Sequence, residues 1–291
     1  MDCSSKKMEE KVEKYQYDSE RYQIQSKDEN KPVIALWGAA IRDHLWLDTY
    51  NKLLETNKAS FKMFLCGHSE PKFDLPENLI FIHSECSANA CAEIAFRHAL
   101  ESNADYLMFW QDDFWISDGL LDAMIEEIST SDTEIVCGPA FRPTLPSQHC
   151  RAPLDENGYL KGQRECVTGL HSIGIVTPTM KRSTAVKMGG LDKRFVATQN
   201  VTEQLLRLAI IGNGDVTFTT CYGAEIAEDM DVQEQLPGRT GRRLSRQWHN
   251  HDDNVLRSIW TFSRHPAPFE CSRNLPNQYY SEEELVFSRK S

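Results

Sequence analysis

No run of 18 or more apolar residues occurs in the chain, so no transmembrane helix is expected. The opening residues, MDCSSKKMEEKVEKY, lack the apolar stretch of a signal peptide. Cys3, Cys66, Cys86, Cys91, Cys137, Cys150, Cys166, Cys221 and Cys271 include no CxxC pair. They read as reduced, mostly buried thiols, and the expected compartment is cytoplasmic. Basic residues are in deficit, 32 against 43 acidic ones, for a net charge of −11. That argues against wrapping nucleic acid, which needs a basic face, and against an anionic membrane surface, unless a local basic patch does that work. Hydrophobic residues at 40% and charged residues at 26% exclude a disordered or collagen-like chain. No internal repeat is visible. A chain of this size buries about three quarters of its unfolded surface, so its core needs no disulfides.

What is present is an alternation of strands and helices. Residues 1–31 form a polar extension in which Met8, Val12, Tyr15, Ser19 and Tyr22 fall on one helix face. The main domain is expected over 32–262 and a tail with a short helix after Ser281 over 263–291. Val33 to Trp37, ended by Gly38, is a continuous apolar strand of the kind buried on both faces. A helix from about Asp43 to Thr56 follows. Phe61–Cys66 and Leu79–His83 are the next strands. Ser87 is the expected N-cap of an Ala-rich helix reaching about Glu101. Tyr106–Trp110 is the fourth strand, and Ser117 or Asp118 caps the helix that carries Leu120, Leu121, Met124 and Ile128. Ile135–Cys137 is a fifth strand. Residues 142–168 read as a loop lining a site, Val201–Ile211 as a helix ended by Gly212, and Val216–Thr220 as a strand. This pattern specifies an α/β fold with a Rossmann-like, mostly parallel central sheet flanked by helices. Ligands then bind outside the carboxyl ends of the strands.

Three features carry possible chemistry. Gln111-Asp112-Asp113 follows a buried strand directly, and paired carboxylates there suit Mg²⁺ or Mn²⁺. A solvated turn leading into a helix is the alternative reading. His249-Asn250-His251 places both imidazoles on one side of a strand or extended loop; an unpartnered surface pair is the alternative. Residues 236–247 are rich in Gly and Arg and read as a loop able to fold over a diphosphate. Trp37, Trp110, Trp115 and Trp248 are expected near the cleft, where aromatic faces suit sugar rings, with one or two of them in the core. A GxGxxG phosphate loop after the first strand is absent, which excludes a dehydrogenase of that type.

The segment DYLMFWQDD (105–113) resembles the "DYILFLDDD" of family 2 glycosyltransferases with the GT-A fold, and Gly189-Gly190-Leu191-Asp192-Lys193-Arg194-Phe195 is similar to their "GGFDERF". The resemblance covers residues 32 to about 220. It implies a single GT-A domain with a nucleotide-sugar half (32–113) and an acceptor half (114–262). It implies transfer of a sugar from a nucleotide-diphosphate donor to a hydroxyl of a glycan or other acceptor, inverting and non-processive. Donor contacts fall on Trp37, Gly38, Gln111, Asp112 and Arg97. The metal ligands are Asp113 with His249 or His251, the ion Mn²⁺ or Mg²⁺, and the base is Glu203. The chain departs from the family where Cys66-Gly67 replaces a base-reading acid, where Gln111 replaces the first acid, and where Asn200-Val201 replaces two more. A Gln-x-x-Arg-Trp motif is lacking, which excludes processive synthases. A nucleotidyltransferase on a related sheet and a GT-A protein that binds without catalysis are the competing readings. Donor sugar, acceptor and oligomeric state are not legible.

Overall fold

The computed structural model describes residues 23–26, 31–40, 42–112, 114–130, 134–141, 175–197, 199–211, 217–218, 224–226, 242–262 and 271–287. The stripe from Met8 to Tyr22, Asp113, the 142–168 segment, Gly212 and residues 236–241 lie outside them, and every structural statement below concerns the described residues.

Strand β1 (Val33–Ala39) is buried along all but its last residue. Alternate side chains leave opposite faces of a strand, and both faces here are covered. Ile34 and Leu36 pack with Trp46, Tyr50 and Leu53 of α1 (Asp43–Thr56). Ala35 and Trp37 pack with Ile94, Ala95 and Phe96 of α2 (Ala88–Glu101). That two-sided burial is why the strand reads as one apolar run rather than an alternation. Strands β2 (Ser60–Gly67), β3 (Leu79–His83) and β4 (Tyr106–Phe109) are parallel to β1 in the order β3-β2-β1-β4.

The helix ends have local causes. Ser87 Oγ accepts the Ala90 N–H at 3.3 Å, the N-cap bond expected from sequence. Ser87→Ala is therefore expected to destabilise by about 1 kcal/mol, read as a lowered urea midpoint with an unchanged slope. Asn57 serves two helices at once. Its Nδ2 donates to Leu53 O at the end of α1, and its Oδ1 accepts the Leu121 N–H at the start of α3 (Leu120–Thr130). The start of α3 is thus tied to a residue more than sixty positions upstream.

Beyond β4 the sheet becomes mixed. β5 (Phe114–Ile116), β6 (Ile135–Phe141), β7 (Ile175–Lys181), β8 (Thr217–Phe218) and β9 (Ala224–Ile226) complete a nine-stranded sheet in the order β3-β2-β1-β4-β7-β6-β9-β5, with β8 beside β6. β7 is antiparallel to both β4 and β6. Helices α4 (Arg182–Met188) and α5 (Asn200–Ile211) follow β7 and pack on each other.

Two expectations are corrected. The Gly/Arg segment is not a loop throughout: α6 (Arg242–Ile259) begins within it and carries the His249-Asn250-His251 stretch. Arg, Leu, Gln and Ser dominate residues 242–247, and none of these opposes a helix as Gly238 and Gly241 do. The other concerns the short helix expected in the tail. After a hairpin of β10 (Trp260–Phe262) and β11 (Cys271–Arg273), the tail runs over α2 as an extended strap. Arg97 donates to Tyr280 O at 2.8 Å, Ser84 Oγ to Val286 O at 2.7 Å, and Leu285 is buried. Residues 282–284 form a turn where a helix was expected. At the other end, Asn103 clamps both backbone groups of Ile24, so Gln23–Ser26 docks on the domain. No helix among the described residues is long and apolar enough to cross a membrane.

A candidate crevice at the strand ends

From β1 the chain winds to β2 and β3 on one side, and β4 lies on the other. The β1/β4 boundary is therefore the switch point of the parallel half, where the connections at the carboxyl ends diverge and leave a crevice. Two glycines let the backbones close up there. A Cβ on Gly38 would stand 2.1 Å from Trp110 O, and one on Gly67 would stand 2.0 Å from Ala40 O. Both obstructions are backbone in a hydrogen-bonded sheet, with Trp110 N donating to Trp37 O and Ala40 N to Cys66 O at 2.9 Å each. Gly38→Ala is expected to destabilise by about 1–3 kcal/mol through overpacking, measured by equilibrium unfolding.

Asp112 is turned into the protein. It is 3% exposed and accepts three hydrogen bonds: the Arg42 N–H at 2.5 Å, Arg42 Nη1 at 2.5 Å and Trp46 Nε1 at 3.2 Å. Arg42, equally buried, follows β1 directly. The pair ties the exits of β1 and β4 together across the switch point. Gln111, one residue earlier, is exposed at the rim. Asp113 lies outside the described residues.

The other sequence-derived candidates scatter. Trp37 is fully buried between Phe96 and Phe109, with ring centroids 4.8 and 4.9 Å away; it is core and offers no face to a ligand. Trp110 is likewise buried. Arg97 sits well along α2, donating to Glu93 Oε1 at 2.7 Å and to the strap. Glu203 is buried on α5. Its Oε2 accepts Arg207 Nε at 2.9 Å, and Arg207 Nη1 reaches Met188 O and Gly190 O, both at 2.9 Å. Glu203 Oε1 has no hydrogen-bond partner among the described residues, and Arg273 Nη2 lies 3.9 Å from it.

His249 and His251 occupy a helix, and a spacing of two puts the positions about 200° apart around its axis. They do not share a face, which corrects the expectation drawn from an extended chain. The His251 ring is half exposed, and its Nδ1 lies 2.8 Å from Asp252 Oδ1. His251→Ala is expected to change stability by less than about 0.5 kcal/mol and to leave Mn²⁺ binding unchanged, as read by metal titration.

The glycine-rich match at 189–195 is held by residues that the sequence reading passed over. Glu93 Oε2 accepts the Leu191 N–H at 2.7 Å, and a Cβ on Gly190 would lie 2.3 Å from Glu93 Oε1. Gly190 is glycine because a buried carboxylate packs against it. Asn89 donates to Asp192 O at 2.9 Å. Asp252 accepts the Val196 and Ala197 N–H groups at 3.0 Å each. Of these, only Glu93 with Arg97 leaves a trace in the sequence, as an i,i+4 pair. Burial works against the charge on Asp192, yet its carboxyl is held below the ordinary range because the Arg194 side chain and the Arg194 and Gln278 N–H groups outweigh it. The stability Asp192 contributes is therefore present above the ordinary carboxylate pKa of about 3.9 and lost as pH falls through the depressed value.

A concavity of about 700 Å³ opens at the other end of the parallel strands. Asn103, Asp105, Tyr106, Lys181 and Arg182 line it at the amino end of β4. Its position is wrong for a ligand held at the switch point.

No protein-family model matches the chain, and no curated protein sequence matches it. Among solved structures it is similar to the crystal structure of S. aureus TarS 1–349, at 8% identity and a TM-score of 0.47. The match covers 66% of this chain and 60% of that one, less than two thirds of its length. The architecture of the chain itself, a mostly parallel central sheet flanked by helices in a single domain, is consistent with a GT-A-like fold.

Proposed function

We propose that the chain is a glycosyltransferase that binds a nucleotide-diphosphate sugar in the β1/β4 crevice and transfers the sugar to an acceptor hydroxyl. The observation that carries this reading is the exit of Trp110-Gln111-Asp112 at the switch point, fixed there by Arg42. Gly38 and Gly67 support it by keeping the strand ends low. In the proposed reaction the acceptor oxygen attacks the anomeric carbon, the bond to the diphosphate breaks, and a base takes the hydroxyl proton. Gln111, exposed at the rim, is the residue we assign to the donor; its amide both donates and accepts hydrogen bonds.

The resemblance implies a divalent ion. Its expected ligands are Asp113 with His249 or His251. Among the described residues, no group of three or more His, Cys, Asp or Glu is arranged to hold a metal. The oxygens of Asp112 already accept three protein donors, and His251 is paired with Asp252. Asp113 and the His249 side chain lie outside the described residues.

One observation favours a second reading, a protein that binds the nucleotide sugar without turnover: Asp112 and Glu203 are both buried in ion pairs with arginine. A donor panel separates the two. Nucleoside diphosphates and their sugars are screened by thermal shift, with Mn²⁺ and with a chelator, and hits are then tested for diphosphate release with glycan acceptors. A saturable shift with release supports transfer, a shift without release supports the binding protein, and no shift with any nucleotide contradicts both.

A further inference from the structure

Three thiols gather where β2 ends and α2 begins, and nothing in the proposed transfer uses them. Cys66 is fully buried on β2, and Cys91, 3% exposed, lies in the first turns of α2. The loop between them brings the two together. Ser84 N donates to Gly67 O, next to Cys66, while Cys91 Sγ approaches Ser84 O at 3.9 Å and Cys86 O at 3.5 Å. The Cys66 and Cys91 side chains lie in the same buried cluster between the sheet and α2. Cys86, half-buried above them, donates to Val286 O of the strap at 3.6 Å.

We propose that Cys66 and Cys91 are an oxidisable dithiol, a modification site that closes to a disulfide when the protein meets a hydroperoxide. Interaction with Cys66 lowers the Cys91 thiol's pKa against its burial, and the same interaction together with burial raises that of Cys66. Cys91 is thus the nucleophile, because the thiolate is the reactive form, and the amino end of α2 favours its negative charge. Its sulfur attacks one peroxide oxygen, the O–O bond breaks, and Cys91 becomes a sulfenic acid as water leaves. The Cys66 sulfur then attacks the Cys91 sulfur. The S–S bond forms, the S–O bond breaks, and the hydroxyl departs with the Cys66 proton as a second water. Two thiols lose two electrons, and the peroxide is reduced to two waters. Hydrogen peroxide is little larger than water and enters through local opening of the loop over the pair.

The test uses the full chain. It is treated with hydrogen peroxide, denatured, alkylated and peptide-mapped. The expected map contains a dithiothreitol-reversible link between the Cys66 and Cys91 peptides, with both thiols protected from alkylation. Cys86→Ser retains that link. Cys91→Ser loses it and leaves Cys66 alkylatable. The proposal is overturned if Cys66 and Cys91 of the unsubstituted chain stay alkylatable while other cysteines oxidise, or if either pairs with Cys86 instead. The map of the unsubstituted chain decides the matter even where a variant folds poorly.

Discussion

Replacing Asp112 with alanine is expected to destabilise the protein by about 3–5 kcal/mol, the range for removing one partner of a buried ion pair. The cost comes from what remains. Arg42 is 3% exposed, and its guanidinium and backbone N–H both lose Asp112 as an acceptor, as does Trp46 Nε1. Asp112→Asn keeps one acceptor oxygen and should cost less. Urea unfolding of both variants measures this. A loss under about 0.5 kcal/mol for the alanine variant, the size of an ordinary surface change, would mean that the carboxylate faces solvent and is open to a ligand.

Glu203→Ala is expected to cost a similar amount, about 3–5 kcal/mol, because Arg207 stays buried while still bonded to Met188 O and Gly190 O. The pair anchors α5 to the turn that opens the glycine-rich match. Glu203→Gln distinguishes this role from that of a base. As an anchor, the change lowers Tm, and whatever protein stays folded keeps its turnover. As a base, it would leave Tm in place and lower turnover by about 10²–10⁴. The closed surroundings of Glu203 favour the first outcome.

Much of the first half of the fold is legible in the residues. Asp43–Thr56, Leu79–His83 and Ala88–Glu101 have the bounds read from sequence, because apolar runs, the Ser87 cap and helical periodicity all act within a few positions. The antiparallel β7 is not legible, since nothing in Ile175–Lys181 records which strand it will meet. Nor is the Asn57 cap, whose partner is distant in sequence. Of the candidate site, the strand exit is legible and the side-chain roles are not. Gln111-Asp112 does leave the sheet at the switch point. That Asp112 points inward depends on Arg42, 70 residues away, and charge composition alone does not reveal such a pairing. Trp37 misled because aromatic rings serve cores and sugar sites equally well. The histidine pair misled because a spacing of two shares a face on a strand and not on a helix.

The central claim is that a nucleotide diphosphate binds at the carboxyl ends of β1 and β4. Backbone hydrogen exchange, with and without the best nucleoside diphosphate of the panel, addresses it most directly. The expected result is slowed exchange at residues 38–42 and 109–112, with no change at 101–106 and 181–183 around the opposite cavity. Slowed exchange at that cavity with the strand ends unchanged would contradict the account.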